Sequence, residues 1–214
     1  MKQAIVVVGD VNVDEVEGKI KSIFADLTMP ANPAERVYYP IADNKEPIIS
    51  IFEDPEMQES SATLFIKRQA LPKEYNNTIV AEQLALIDAL ASDMANARLQ
   101  EIKMKPNAPF TSASFMNGGI GICSTLECAG VGVNTQDGKL LAGFEAAYTE
   151  LERIRRHGFT EGELERAKKQ VLRREEQAYM NRNDRLNGEY VRRYIANFRK
   201  NSPMPEAEIE WKMD

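Results

Sequence analysis

The order of apolar runs and amphipathic stretches is the feature that most restricts how this 214-residue chain can fold. A continuous β-branched run at residues 4–8 predicts a strand buried on both faces. Helical spacing of apolar residues then predicts a helix from Asp14, as its N-cap, to Leu27. Two further strands are predicted at residues 48–52 and 62–69, the second from its alternating pattern.

A long helix and a group of short strands occupy the middle of the chain. The helix is predicted over residues 75–103, with a buried face marked by Val80, Leu84, Ile87, Ala91, Met94, Leu99 and Ile102. After two prolines the pattern predicts three strands joined by glycine-containing turns, at residues 110–116, 121–126 and 130–135.

Long helices fill the rest of the chain. One is predicted over residues 138–156 and is closed by Gly158. The next begins at Thr160, which has the Thr-x-x-Glu spacing of a capping box, and runs to about Lys200 with an irregularity at 181–188. The whole order predicts an α+β fold, with long helices packed on one face of a mixed or antiparallel sheet.

Composition and charge exclude several classes of function. Apolar residues make up 43% of the chain and charged residues 28%, as in ordinary globular proteins. No apolar run approaches the roughly 20 residues needed to cross a bilayer, so no membrane insertion is expected. The net charge is -6, and the basic pairs near residues 168–174 alternate with glutamates at spacings that allow pairing along a helix, so no nucleic-acid partner is expected.

The residues that could carry chemistry are few and poorly arranged. Cys123 and Cys128 lack the spacing and partners of a zinc site and are interpreted as small strand residues. The single histidine, His157, lies at a predicted helix end, where it can meet the negative end of the helix dipole. Ser112 and Ser114 alternate along a predicted strand without a paired base. The sequence therefore predicts no catalytic residue and no metal site.

Four segments carry a family resemblance in the correct order along the chain. They are the strand–helix start at 4–27, the run Asn-Ala-Arg-Leu-Gln-Glu-Ile at 96–102, the run Asn-Ala-Pro-Phe at 107–110, and the helix–turn–helix at 158–168. Together they resemble the second domain of insulinase/pitrilysin-type zinc peptidases, over most of residues 3–175. The resemblance implies the metallohydrolase fold of the mitochondrial processing peptidase and its relatives.

The resemblance also implies where zinc chemistry would lie. The catalytic domain of this family has an H-x-x-E-H motif, in which two histidines bind zinc and the glutamate activates water. One histidine cannot form that pair, so this chain alone is expected to be inactive and to carry no cofactor. Zinc is implied for the parent protein, expected to be a metalloendopeptidase.

Two residues match positions that the family uses to bind substrate. The family places an arginine and a tyrosine just after the long helix of a later domain, to bind peptide and steady the developing oxyanion. The matching residues here are Arg98 and Phe110, and phenylalanine has no hydroxyl to donate. An ion pair near the helix end is the alternative role for Arg98.

The expected organisation is a non-catalytic peptidase-family domain at residues 1–175, followed by a helical extension or inter-domain connector at 176–214. The partners implied are an upstream zinc-binding domain of the same parent and a peptide substrate. The resemblance favours the bacterial periplasm over the cytoplasm for the parent.

A second hypothesis assigns a different class of function to the same fold. In this hypothesis the chain is a scaffold or assembly subunit of a parent without peptidase activity. Degenerate members of the family that it resembles serve as core subunits of membrane complexes or as inactive partners of active subunits. The sequence that separates the two hypotheses lies outside this chain, because only an upstream H-x-x-E-H motif would identify an active parent.

Overall fold

The fold was obtained as a computed structural model that describes residues 3–28, 31, 32, 34, 37–119 and 123–213. The chain divides into two compact units. One consists of Met1–Tyr38, Pro72–Asn77 and Glu175–Asp214, and the other of Tyr39–Leu71 and Thr78–Arg174.

The described chain contains both helices and strands, as the sequence predicts. The strands are β1 (Ser60–Gln69), β2 (Ser112–Gly119) and β3 (Leu126–Thr135). The helices are α1 (Val13–Ile23), α2 (Ile79–Lys103), α3 (Leu140–His157), α4 (Glu161–Met180), α5 (Asn187–Lys200) and α6 (Ala207–Met213), with a short 3₁₀ turn at Lys73–Tyr75.

The larger unit is built on an antiparallel sheet in the order β1-β3-β2. Val131 and Val133 of the central strand are buried and lie opposite Leu64 and Ala62 of β1. A hydrophobic core joins this face to the helices and contains Leu99, Phe110, Val131, Val133 and Ala147. Long helices therefore pack on one face of an antiparallel sheet, as the sequence predicts.

Several helix ends follow from local chemistry. The Thr160 backbone N–H donates to Glu163 Oε2 at 2.7 Å and the Glu163 N–H donates to Thr160 Oγ1 at 3.3 Å, so the predicted capping box forms. Gly158 ends α3 with a φ of 66°, which glycine adopts without steric cost. His157 is in the last turn of α3, and the predicted irregularity separates α4 from α5. The predicted cap at Asp14 is wrong, because Asn12 caps α1 and accepts from the Glu15 N–H.

Two predicted strands do not form. Neither the described residues 3–8 nor residues 47–52 join a sheet, and Ile48, Ile49, Ile51 and Phe52 are 79–81% exposed. A β-branched run indicates that the side chains of a segment suit a pleated, half-buried surface. A strand also needs a neighbouring segment whose backbone N–H and C=O groups can hydrogen-bond to it. The pattern identified segments whose side chains suit a strand and not the partners that a strand needs.

The strands after α2 also differ from the prediction. Residues 126–135 form one continuous strand, so the turn predicted between the strands 121–126 and 130–135 is wrong. Gly130 serves packing instead, since a Cβ there would overlap the Leu64 backbone carbonyl of β1. Residues 123–125 precede β3 without strand structure, which places Cys128 but not Cys123 in a strand; residues 121 and 122 lie outside the described part of the chain.

Only part of the predicted helical packing is present. Met94, Ala95 and Leu99 of α2 are buried, whereas Val80, Leu84 and Ile87 in its first half are exposed. The segment after Pro205 is helical, and in α6 Trp211 stacks on Tyr179 of α4 with ring centroids 5.9 Å apart. Across the described helices, none combines the length and the apolar character needed to cross a bilayer.

Replacement of Gly143 by alanine is expected to destabilise the larger unit. A Cβ at this position of α3 would meet the Thr135 methyl group and, at 2.9 Å, the Pro109 backbone oxygen. Relieving that overlap should cost about 1–3 kcal/mol in the free energy of unfolding, measured by urea denaturation. The matched control is Gly162→Ala in the first turn of α4, where the nearest atom is the end of the Arg166 side chain at 3.5 Å. The control should be neutral or stabilising by up to about 1 kcal/mol, and an equal loss in both variants would contradict the packing argument.

Candidate functional site

Arg98 lies at the junction of three helices in the larger unit. Its Nε and Nη2 groups donate to the two Glu163 carboxylate oxygens at 2.5 and 2.9 Å. Its Nη1 donates to Glu150 Oε1 at 3.2 Å, and its Nη2 also donates to the Gly158 carbonyl at 3.1 Å. Four of the five N–H donors of the guanidinium are used in this way. The ion pair proposed as the alternative role for Arg98 is therefore formed.

Glu150 is the buried charge of this cluster. It is 4% exposed on α3, and its second oxygen accepts from Arg153 Nη1 at 3.0 Å. A carboxylate removed from water is costly unless it is paired and hydrogen-bonded, so Glu150 depends on its two arginines. Arg98 is the more enclosed of the two, with 17% of its side chain exposed against 61% for Arg153.

Glu163 combines two local roles. It completes the capping box at the start of α4 and forms the bidentate contact with Arg98. The hydrogen bonds from Arg98 lower the pKa of the Glu163 carboxyl from 4.5 to about 2. The same bonds raise the pKa of the Arg98 guanidinium, with Glu163 contributing more than Glu150.

The turn between α3 and α4 is attached to α2 through the same arginine. Besides the bond to the Gly158 carbonyl, the Arg98 guanidinium carbon lies 5.1 Å from the centroid of the Phe159 ring. A guanidinium at that distance over an aromatic face is attracted to its π-electrons. The role of Arg98 is therefore structural, because its contacts hold the turn between α3 and α4 on the long helix α2.

Phe110 has different surroundings from Arg98. It follows α2, is 4% exposed, and packs in the core with Leu99, Val131, Val133 and Ala147. Arg98 instead contacts the carboxylates of α3 and α4. Among the described contacts, Arg98 and Phe110 have no polar group as a common partner. Contact of either residue with a peptide stays a prediction.

Sequence reasoning missed Glu150. Its position is three residues after Ala147 and four before Ile154, on the stripe of α3 that faces the core. A carboxylate at an apolar position of a helical pattern signals a buried pair, and that signal was available in the sequence. Its partner was not, because Arg98 is 52 residues away along the chain.

A second polar cluster, also missed, joins β1, α2 and β3. Arg68 Nη2 lies 2.7 Å from Asp88 Oδ2 and 2.8 Å from Glu127 Oε2, with all three side chains partly exposed. Nearby, burial raises the pKa of the Cys128 thiol, which keeps it protonated near neutral pH. A protonated, buried thiol is a poor nucleophile, so this cluster offers no covalent chemistry.

The side chains of this chain that could bind a metal do not fit the zinc site that the resemblance implies for the parent. The sequence has one histidine, His157, which is exposed at the end of α3. Among the described residues, no group of three or more His, Cys, Asp and Glu side chains is placed to hold a metal ion. The two-histidine motif cannot be assembled from this chain.

A small cavity lies beneath α2 and α3. It is lined mainly by apolar side chains, including Ala95, Leu99, Phe115 and Val131, and its volume is about 10 Å³. That volume holds at most about one water molecule and is far below the several hundred Å³ of a typical ligand pocket. At this size the cavity is too small to hold a small-molecule ligand.

Acid is expected to weaken the Arg98–Glu163 contact in a defined range of pH. Because the pKa of Glu163 is about 2 in the folded chain against 4.5 ordinarily, the unfolded state binds more protons between these values. The stabilisation is complete above about pH 4.5 and is lost as the pH falls through about 2.

Glu163→Gln keeps a capping-box residue but removes the charge, so it should lower stability at pH 7 and flatten this pH dependence. Glu165→Gln, which alters an exposed pair with Lys168, is the control and should leave the profile unchanged. Parallel pH profiles of unfolding for wild type and Glu163→Gln would contradict the assignment.

Replacement of Phe110 by tyrosine, the residue that the resemblance implies for the matching position of a later domain, is expected to destabilise the chain. The Phe110 ring is almost fully enclosed, so an added hydroxyl would lose water without gaining an evident partner. The cost should be about 1–3 kcal/mol, measured by urea denaturation. Phe65→Tyr is the matched control, because the Phe65 ring is 53% exposed and its new hydroxyl would stay in water. A stable Phe110→Tyr variant would show that position 110 reaches solvent or a polar partner.

Comparison with known proteins provides a family for this fold. The family described as the peptidase M16 inactive domain matches residues 3–171. No match was found among curated proteins. Solved structures with the same fold include the periplasmic protease PqqL from Escherichia coli, with a TM-score of 0.75 and 21% sequence identity, over 96% of this chain and 22% of that one.

Two further structures give the same result. The first half of PqqL matches with a TM-score of 0.74 and 21% identity, over 96% of this chain and 43% of that one. A predicted insulinase family protease from Yersinia pestis matches with a TM-score of 0.75 and 15% identity, over the same two shares. This chain thus spans between about a fifth and two fifths of the solved chains that it resembles. The matches confirm the predicted α+β fold and the predicted resemblance, and the chain belongs to the peptidase M16 family, as its inactive domain.

Proposed function

We propose that this chain is a non-catalytic domain of a zinc-dependent metallopeptidase. In this role it forms part of the wall of a peptide-binding chamber and supports an upstream domain that carries H-x-x-E-H. The observation that carries the proposal is the match to the inactive domain over residues 3–171. The partial coverage of PqqL supports it, because a chain of this fold accounts for 22% of that protease.

The chemistry of the described side chains supports a structural contribution. The guanidinium of Arg98 and the carboxylates of Glu150 and Glu163 are bonded to one another, and the Cys128 thiol is buried and protonated. Such a domain contributes to catalysis by enclosing and orienting a substrate, which can lower a barrier without a reacting group of its own.

Peptide contact by Arg98 and Phe110 belongs to this proposal as a prediction. Contact by Arg98 requires its guanidinium to exchange part of its bonding to Glu163 for a peptide carbonyl or carboxylate. Contact by Phe110 requires its ring to leave the core. A periplasmic location for the parent is proposed on the description of PqqL as a periplasmic protease.

The first test is the coding sequence upstream of Met1 in the same reading frame. It is expected to encode H-x-x-E-H and a further downstream glutamate ligand. That upstream domain is then produced alone and together with the present chain, and cleavage of an unfolded fluorogenic peptide is measured. The pair should cleave at least about tenfold faster than the zinc domain alone, and the present chain alone should not cleave. Replacing the motif glutamate by glutamine is the control and should abolish cleavage by the pair.

Two outcomes would contradict the proposal. A parent without the motif would exclude a peptidase of this mechanism. A motif-bearing domain whose activity does not change on addition of this chain would instead favour the scaffold function.

A further inference from the structure

The acidic end of the chain contacts a basic stretch that precedes it. Residues 182–200, which include α5, contain six lysines and arginines against two acidic residues, a net charge of +4. Residues 201–214 contain four acidic residues against one lysine, a net charge of -3. Opposite charges on two neighbouring segments attract and orient them. Residues 202–212 are called the strap below.

The strap runs back along α5. At its start, Asn197 Nδ2 donates to the Ser202 carbonyl at 2.8 Å. Arg193 Nη2 then donates to the Pro205 carbonyl at 3.3 Å. No residue of α5 is fully buried, and the residues of the strap are exposed or half-buried. Polar contacts at the surface therefore hold this part of the strap, without a hydrophobic core beneath it.

Two guanidinium groups share one carboxylate where the strap forms α6. Arg185 Nη2 and Arg193 Nη1 donate to the same oxygen of Glu210, Oε2, at 3.1 and 3.3 Å. The two arginine side chains are only 17 and 24% exposed. Among the described residues no second acidic side chain pairs with either arginine, whereas Arg98 pairs with two. Two mostly enclosed cations thus keep N–H donors and positive charge that a further carboxylate can satisfy.

An aromatic ring lies beside this pair of arginines. Trp211, which follows Glu210 in the sequence, stacks on Tyr179 of α4 at an interplanar angle of 22°. The guanidinium carbon of Arg182 lies 4.4 Å from the centroid of the same Tyr179 ring. The surface beneath α6 therefore accepts a carboxylate and a flat aromatic side chain at adjacent positions of one segment.

We propose that Arg185, Arg193 and Tyr179 form a binding site for an acidic peptide segment of another polypeptide, and that the strap occupies this site as a releasable internal ligand. The ligand class is a segment in which a glutamate or aspartate precedes an aromatic residue, as Glu210 precedes Trp211 here. Ion pairs between partly exposed groups and a single ring stack are individually weak contacts. A segment of the same chemistry therefore displaces the strap by mass action.

The fluorescence of Trp211 tests whether Glu210 holds the strap, because Trp211 is the only tryptophan of the chain. Glu210→Lys in the 214-residue chain places a cation beside two arginines and should release the strap. The emission of Trp211 should then shift to the red, and its quenching by acrylamide should rise at least about twofold. Glu208→Lys is the matched control, since it makes the same charge change in α6 at an exposed residue that pairs with Lys212. The control should leave both signals as in the wild type.

Peptide binding tests the site itself. A fluorescein-labelled synthetic peptide with the sequence of residues 202–212 is titrated into the full chain, and its anisotropy is measured. The peptide should bind Glu210→Lys at least about tenfold more tightly than the wild type, whose own strap competes for the site. A peptide with glutamine in place of Glu210 should bind at least about tenfold more weakly, as should the original peptide when Arg193→Gln is added to Glu210→Lys.

Several results would overturn the proposal. An unchanged Trp211 signal in Glu210→Lys, or an equal change in Glu208→Lys, would show that Glu210 does not hold the strap. Loss of the helical circular dichroism signal in Glu210→Lys would show that the strap is an integral part of the fold.

The binding experiment can contradict the proposal independently. Equal peptide affinity of the wild type and Glu210→Lys, absence of binding to both, or binding that Arg193→Gln leaves unchanged would exclude the site. A wild-type dimer in sedimentation velocity that Glu210→Lys dissociates would assign the site to the strap of a second copy of the chain.

Discussion

The burial of one carboxylate, Glu150, constrains the helical layer of the larger unit. A charge in that position requires a cation, and Arg98 of α2 supplies it at 3.2 Å. The same guanidinium then binds Glu163 and the Gly158 carbonyl, so one side chain holds α3, the following turn and α4 on the long helix. Removing Arg98 would leave an incompletely paired charge in the interior, which costs far more than the loss of a surface ion pair.

This network gives Arg98, Glu150 and Glu163 a structural role in the described chain. Arginine and glutamate are common in active sites, where they bind substrates or transfer protons. Here their donors and acceptors bind one another, and the low pKa of Glu163 keeps it ionised above about pH 2, which makes it a poor general base. This structural use of the charged side chains agrees with the proposal that the domain forms part of a chamber wall while the reaction takes place on another domain.

The two edges of the sheet differ in whether a side chain hydrogen-bonds to their outer backbone groups. Its helix-covered face is well packed, and an asparagine of α2 occupies the β2 edge. The β1 edge has no second described strand beside it, and the apolar side chains of residues 48, 49, 51 and 52 are exposed. The contrast between the edges arises because α2 lies next to β2, with Asn96 directed at Phe115.

The sequence by itself determined the elements whose causes are local. The capping box at Thr160, the glycine end of α3, the break between α4 and α5 and the alternation of β1 each depend on residues a few positions apart. Its single histidine also determined that a two-histidine zinc site cannot form.

Only the tertiary structure decided that Arg98 pairs with Glu150 and Glu163 and that Phe110 lies in the core. It also decided that 126–135 is one strand and that 4–8 and 47–52 lack strand partners. The reason is physical: a local pattern indicates which groups need burial or pairing, whereas the partner of a group can lie far away along the chain, as 52 residues separate Arg98 from Glu150.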